Sequence, residues 1–254
     1  MTLTMESFFF ILGRITGLFL SAPIFSSRMI PGRVKGLVII AISATMAYFV
    51  PLNYGKNINT PALFIAAMIL EVIVGYTIGF VAYVVLATIQ LAGQIMDMQM
   101  GFSIVNVVDP QSGTQIPLMG NFTQAIALLI YLGIDGHHYL LQALVQSFNL
   151  IPVLGMHVKS SFIDLITEIT VNMFVIAVKI SAPIVISILT SDIAMGFIAR
   201  TVPQMNVFIV GLPLKILLGM VSLMLLLPVY LWVFNSLFAQ FFTYVDQIIL
   251  TMGL

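Results

Sequence analysis

Charge is so scarce in this chain that water alone cannot solvate its surface. Only 7% of the 254 residues are charged, against 61% that are hydrophobic, whereas a soluble globular domain carries roughly 25% charged residues. A chain this poor in polarity must be covered by lipid or by partner protein. Its nine basic and nine acidic residues cancel, so there is no basic stripe of the kind nucleic acid requires. Cysteine is absent, which removes disulfides, thiolate chemistry and cysteine-based metal sites. The first seven residues carry only Glu6 and lack the basic stretch that precedes a signal's apolar core. The first apolar segment is therefore expected to be an uncleaved helix.

Measured against the ~20 residues that cross a bilayer as helix, the apolar segments form an uneven series. They cover residues 8–27, 37–50 and 61–96, the last too long for one simple span. Gly101 to Gly120 then holds Asp109, Pro110, Gly113 and Pro117, a dense set of helix breakers. Shorter segments follow at 122–134 and 139–158, the second interrupted by Pro152 and Gly155. A helix is predicted over 161–190, with Ser160 or Ser161 as its cap and Asp164 in its first turn. The last run, 207–254, has no charge between Lys215 and Asp246. As one straight helix it would reach about 70 Å, far beyond the ~30 Å hydrocarbon core. It is expected to fold back on itself near Pro228, facing Leu217 toward Phe238, or else to leave the bilayer. Arg28, Arg33 and Lys35 place the first loop on the cytoplasmic side. With no linker, low-complexity tract or clear repeat, residues 1–254 read as a single all-α domain.

Each charge inside an apolar helix costs roughly 2.5 kcal/mol or more unless it finds a partner or a wet cavity. Arg14, Glu71 and Lys179 are embedded in this way. Asp97 ends a polar face begun by Gln90 and Gln94. Asp164, Glu168, Asn172 and Lys179 share a second face, and Lys215, Gly219 and Ser222 a third. Such groups either line a conduit or pair to fix helix packing, and one polar residue per helix favours packing. The embedded charges are too many to pair within a few helices, so the chain alone is expected to be unstable without other subunits. Gly13/Gly17 and Gly75/Gly79 fit G-x-x-x-G, which permits close helix approach; Gly32/Gly36 has the same spacing but falls in a predicted loop. His137 and His138 are adjacent, so on a helix they diverge by about 100°, a poor metal pair, and no metal or cofactor is expected. No P-loop, nucleophile elbow or H-E-x-x-H is present.

The central break is unusual in another respect. Phe102, Ile104, Val105, Val107, Val108 and Ile116 make it apolar although it is irregular. Irregular backbone at membrane depth is tolerated only inside protein or along a cavity. The segment is therefore read as an element held inside an assembly, the alternative being an interfacial loop on the membrane surface. Met96, Met98 and Met100 alternate just before it; methionine fills irregular gaps, either as ordinary core or as a deformable seal around a pore.

Four stretches of the chain together resemble the FliR family of flagellar export-gate proteins, called SctT in virulence injectisomes. They are G-R-I-T-G-L-F-L-S-A-P-I-F-S-S-R-M-I-P-G-R-V-K-G at 13–36; 97–122 with D-P-Q-S-G-T at 109–114; D-I-A-M-G-F-I-A-R from Asp192 to Arg200; and P-Q-M-N-V-F-I-V-G-L-P-L-K at 203–215. The resemblance implies a structural subunit and no enzyme. It implies a hetero-oligomer with FliP-like and FliQ-like subunits and a FlhB-like subunit, and unfolded export proteins as cargo. It implies a FliP-like part over about 1–190 joined to a FliQ-like helical hairpin over 191–254. The assembly would belong to the flagellar basal body at the bacterial inner membrane, projecting to the periplasmic side. The family's central loop plugs the closed channel, which by position maps onto about Asn106 to Phe122. Competing readings are a secondary transporter, which lacks two related halves here, a membrane enzyme, which lacks convergent catalytic residues, and the equivalent injectisome subunit.

Overall fold

A computed structural model describes residues 5–27, 29–50, 60–102, 117–156, 159–204 and 206–253. Seven helices are described: α1 (Met5–Ser21), α2 (Gly32–Phe49), α3 (Pro61–Met100), α4 (Leu118–Gly133), α5 (Gly136–Leu150), α6 (Ser160–Thr201) and α7 (Val207–Gly253). The all-α expectation is met. Four of the helices are long and apolar enough to cross a membrane, or five if α4 and α5 together make one span.

Local chemistry sets several boundaries. α1 stops at Ser21, earlier than expected, because Pro23 disfavours helical backbone at Ala22 and Ile24 turns left-handed, with φ 69°. α2 begins directly after Pro31, so Gly32 and Gly36 lie in its first turns rather than in a loop. A Cβ on either glycine would meet nothing within 4 Å.

The largest correction concerns the C-terminal run. It does not turn near Pro228. Val207–Gly253 is one helix that carries Pro213 and Pro228 in its interior, and the preceding helix runs eleven residues past its predicted end at 190, to Thr201. Leu217 and Phe238 therefore lie along one rod. A proline removes a single helical hydrogen bond and crowds one carbonyl. A second turn would leave several more backbone groups without helical partners than the one a proline removes. Continuing the helix is the cheaper solution. The hairpin is instead formed by α6 and α7, which run antiparallel and are joined by residues 202–206. Lys215 Nζ lies 2.7 Å from Asp192 Oδ1, and Tyr230 Oη donates to the Ile180 carbonyl at 3.1 Å.

Residue contacts separate the chain into two compact units. The first comprises Met1–Val85, Leu132–Thr170 and Phe238–Leu254; the second comprises Leu86–Tyr131 and Val171–Leu237. In the first unit α1 and α3 touch through glycine. A Cβ on Gly17 would overlap the Val72 carbonyl oxygen, and one on Gly75 would overlap that of Arg14. Gly79 leaves room for Ser21 Oγ, which donates to the Tyr76 carbonyl at 2.8 Å. Phe10, Ala67 and Val153 close the buried core beside this contact. The same unit seats the end of α7: Gly253 lies against the Leu150 carbonyl, and Tyr139 Oη donates to Asp246 Oδ1 at 2.7 Å.

Two glycine substitutions should separate these situations. Gly75→Ala forces a methyl into backbone and should destabilise by about 3 kcal/mol or more, the upper end for overpacking. Gly36→Ala enters open space within a helix and should stabilise by about 0.5–1 kcal/mol. Thermal unfolding of the detergent-solubilised protein measures both, and equal effects would refute the contact.

Candidate functional site

In the first unit the polar groups converge on Arg14, which is fully buried. Its Nε donates to Glu71 Oε2 at 2.6 Å, Nη1 to Ser147 Oγ at 2.9 Å, and Nη2 to the Ile151 carbonyl at 3.0 Å. The guanidinium also sits 4.1 Å from the centroid of Phe148, close enough for a cation–π contribution. Ser147 passes the network on by donating to the Leu144 carbonyl at 2.6 Å. Three helices and the segment after α5 are thereby tied to one cation. Two of the embedded charges read from the sequence thus neutralise each other within the chain, and this pair needs no other subunit.

The second unit has its own polar node at Asp97, which is 5% exposed. Its Oδ1 accepts the Met119 N–H at 2.9 Å and its Oδ2 the Gly120 N–H at 3.1 Å. These are amides of the first turn of α4, where a carboxylate satisfies donors that have no helical partner and complements the helix dipole. The backbone of Asp97 serves the other helix. Gly101 has φ 87°, and the Phe102 N–H donates to the Asp97 carbonyl at 3.1 Å, the closure that ends a helix on a left-handed glycine. One residue therefore terminates α3 with its backbone and starts α4 with its side chain. α3 and α4 also meet without side chains, since a Cβ on Gly93 would lie 2.6 Å from the Gly120 Cα.

The remaining site residues are distributed around these nodes. Met96 and Met100 are fully buried, whereas Met98 is exposed. The Met100 side chain fills the notch left by Gly219 on α7, where a Cβ would come within 2.5 Å of its Cε. Asp192 and Lys215 pair, each about a third exposed. Lys179 and Arg200 are exposed; Arg200 lines a shallow depression with Ile193, Gly196 and Phe197. Of the predicted plug, Phe102 and Pro117 flank the break and are half-buried. Ile104, Val105, Asn106, Val107, Val108, Asp109, Pro110, Gly113 and Ile116 lie outside the described residues. Sequence reasoning missed the pairing of Arg14 with Glu71, the capping role of Asp97 and the approach of Asp135 to His137 and His138. For Asp97 a signal was present: an acid in the last turn of one helix, with the next helix starting beyond a run of breakers.

A chain of long apolar helices, with its described buried charges spent on pairing and capping, is a multi-pass membrane protein. Its residues 5–241 match the family of bacterial export proteins, family 1, and the chain belongs to that family. It is 36% identical to the flagellar biosynthetic protein FliR of Bacillus subtilis (strain 168) over 92% of its own length and 90% of the relative's. It is 29% identical to that of Escherichia coli (strain K12) over 95% and 92%, and 26% identical to that of Aquifex aeolicus (strain VF5) over 90% and 88%. The resemblance read from the sequence is met.

Two experiments test the nodes. Arg14→Met strands a buried carboxylate and should cost about 3–5 kcal/mol; Glu71→Met strands the guanidinium at similar cost. The double variant should lose clearly less than the sum, since neither charge is left alone. Additive losses in a thermal-unfolding cycle would show that the pair is not coupled. Asp97→Ala leaves two buried amides unsatisfied, for a loss of about 1–3 kcal/mol, and hydrogen exchange should accelerate at Met119 and Gly120 before the rest of α4. Uniform acceleration along the helix would contradict the capping role.

Proposed function

We propose that this chain is a structural, channel-forming subunit of the flagellar type III export gate, passing unfolded export proteins across the bacterial inner membrane. One observation carries the reading: family membership over nearly the whole chain, together with flagellar biosynthetic relatives matched along about nine-tenths of their own length. The chain supplies a wall and a closure, and the energy for transport comes from elsewhere in the machine. Its partners are FliP-like, FliQ-like and FlhB-like subunits in a hetero-oligomer. Exposed apolar side chains support that part, among them Ile186, Ile193, Leu217, Met224, Leu225 and Trp232 on the α6–α7 hairpin. The FliQ-like portion over 191–254 spans the join between the two helices, which gives it a short arm in α6 and a long arm in α7. When assembled, the subunit sits in the flagellar basal body and projects toward the periplasm.

Closure is assigned to the central segment between Gly101 and Gly120. Its apolar composition suits a constriction that excludes ions by dewetting. The double use of Asp97 supports the assignment, because one residue anchors both flanks of that segment. The buried Met96 and Met100 adjoin the same base.

Deletion of Val107 to Gln115 should leave the complex assembled, with its FliP-like and FliQ-like partners co-purifying, but leaky to small ions. Membrane depolarisation and slowed growth on expression report the leak. Ion tightness equal to the full-length protein in an assembled deletion complex would remove the plug, and failure of the partners to co-purify with the intact chain would remove the gate reading.

A further inference from the structure

The break between α4 and α5 carries an arrangement that export does not explain. Asp135 occupies the position just before α5, where an aspartate ordinarily accepts first-turn amides. It makes no such cap and adopts a left-handed backbone, φ 58° and ψ 30°, a conformation uncommon for a residue other than glycine. Its carboxylate turns instead toward the histidines, with Oδ1 3.2 Å from His138 Nδ1. The adjacent rings of His137 and His138, expected to diverge, lie side by side with centroids 4.1 Å apart and planes inclined by 36°. His137 Nδ1 is buried and has no hydrogen-bond partner among the described residues. One ligating atom from each of the three residues lies within 4.8 Å of the others.

We propose that Asp135, His137 and His138 form a binding site for one divalent transition-metal ion. Two imidazoles and a carboxylate favour zinc, cobalt, nickel or copper over magnesium and calcium, which prefer all-oxygen shells. Bonds of about 2.0–2.2 Å put neighbouring donors roughly 3.4 Å apart in a tetrahedral shell. The donors therefore close by an ångström or so, a movement within reach of side-chain rotation at an exposed turn. The side chains of Asp135 and His138 are 72% and 63% exposed, so water completes the shell and the ion remains largely solvated. The N-terminus of α5 opposes a cation with about half a positive charge; the full charge of the Asp135 carboxylate outweighs it. A bound ion gives the two imidazoles and the carboxylate a common partner.

The test uses the full chain, purified in detergent without a polyhistidine tag and titrated with Co²⁺, with Zn²⁺ as competitor. One Co²⁺ per chain should bind, with visible absorption bleached by Zn²⁺. His137→Ala and His138→Ala should each weaken binding about tenfold or more, and Asp135→Asn should weaken it by a similar factor. His157→Ala, at the one other histidine, should leave it unchanged. Zn²⁺ should also protect His138 of the unaltered chain from diethyl pyrocarbonate, a readout that does not depend on any variant folding. Absence of saturable binding, binding that survives both histidine substitutions, or unprotected His138 under saturating Zn²⁺ would overturn the proposal. Export activity is not among the readouts, so the site stands or falls apart from the gate function.

Discussion

Burying a guanidinium completely is among the more expensive acts in protein folding, and the first unit is organised around having done so. The effective penalty is several kcal/mol for each ion, recovered only with good geometry and full hydrogen bonding. Arg14 meets those terms with a carboxylate, a hydroxyl, a carbonyl and an aromatic face. Its partners lie 57, 133 and 137 residues away in sequence, so no local segment can satisfy it. α1, α3 and α5 must all be in place before the cost is recovered. The glycine contacts lie next to this network. Gly17 and Gly75 let the α1 and α3 backbones meet directly beside the 2.6 Å bond from Arg14 to Glu71.

In the second unit a single acid carries comparable responsibility without a counter-ion. Asp97 is satisfied by amides, and the electrostatic gain comes from unpaired donors at a helix start rather than from a cation. The arrangement makes the ends of α3 and α4 one element. The bonds described at those termini are made from one helix end to the other, through the side chain and the backbone of the same residue. That property fits the closure proposed for the central segment.

Hydropathy and helix breakers located every described helix, because an apolar chain has few other ways to satisfy its backbone. The glycine pairs on α1 and α3 were also legible, since their spacing repeats on a helical face. Legibility failed where the outcome depended on a choice between costs. Pro228 signalled a turn, yet one missing hydrogen bond was cheaper than several exposed peptide groups, and α7 continued through it. The partner of Arg14 was invisible because nothing in the sequence relates position 14 to position 71. The rings of His137 and His138, expected to diverge by ideal helical angles, lie with centroids 4.1 Å apart, and Asp135, three residues before His138, turns its carboxylate toward them.

The contact between Gly17 and Gly75 also differs in kind from the ion pair beside it when considered as inheritance. Arg14 and Glu71 meet through their side chains, so a loss at one position can be answered by a matching change at the other. A methyl group at Gly17 or Gly75 meets main-chain atoms of the facing helix, which every amino acid shares. No substitution at the facing position can make room. Suppressors of a change at either glycine must arise as shifts of a whole helix, and genetic screens should find them scattered along α1 and α3 rather than paired with the original site.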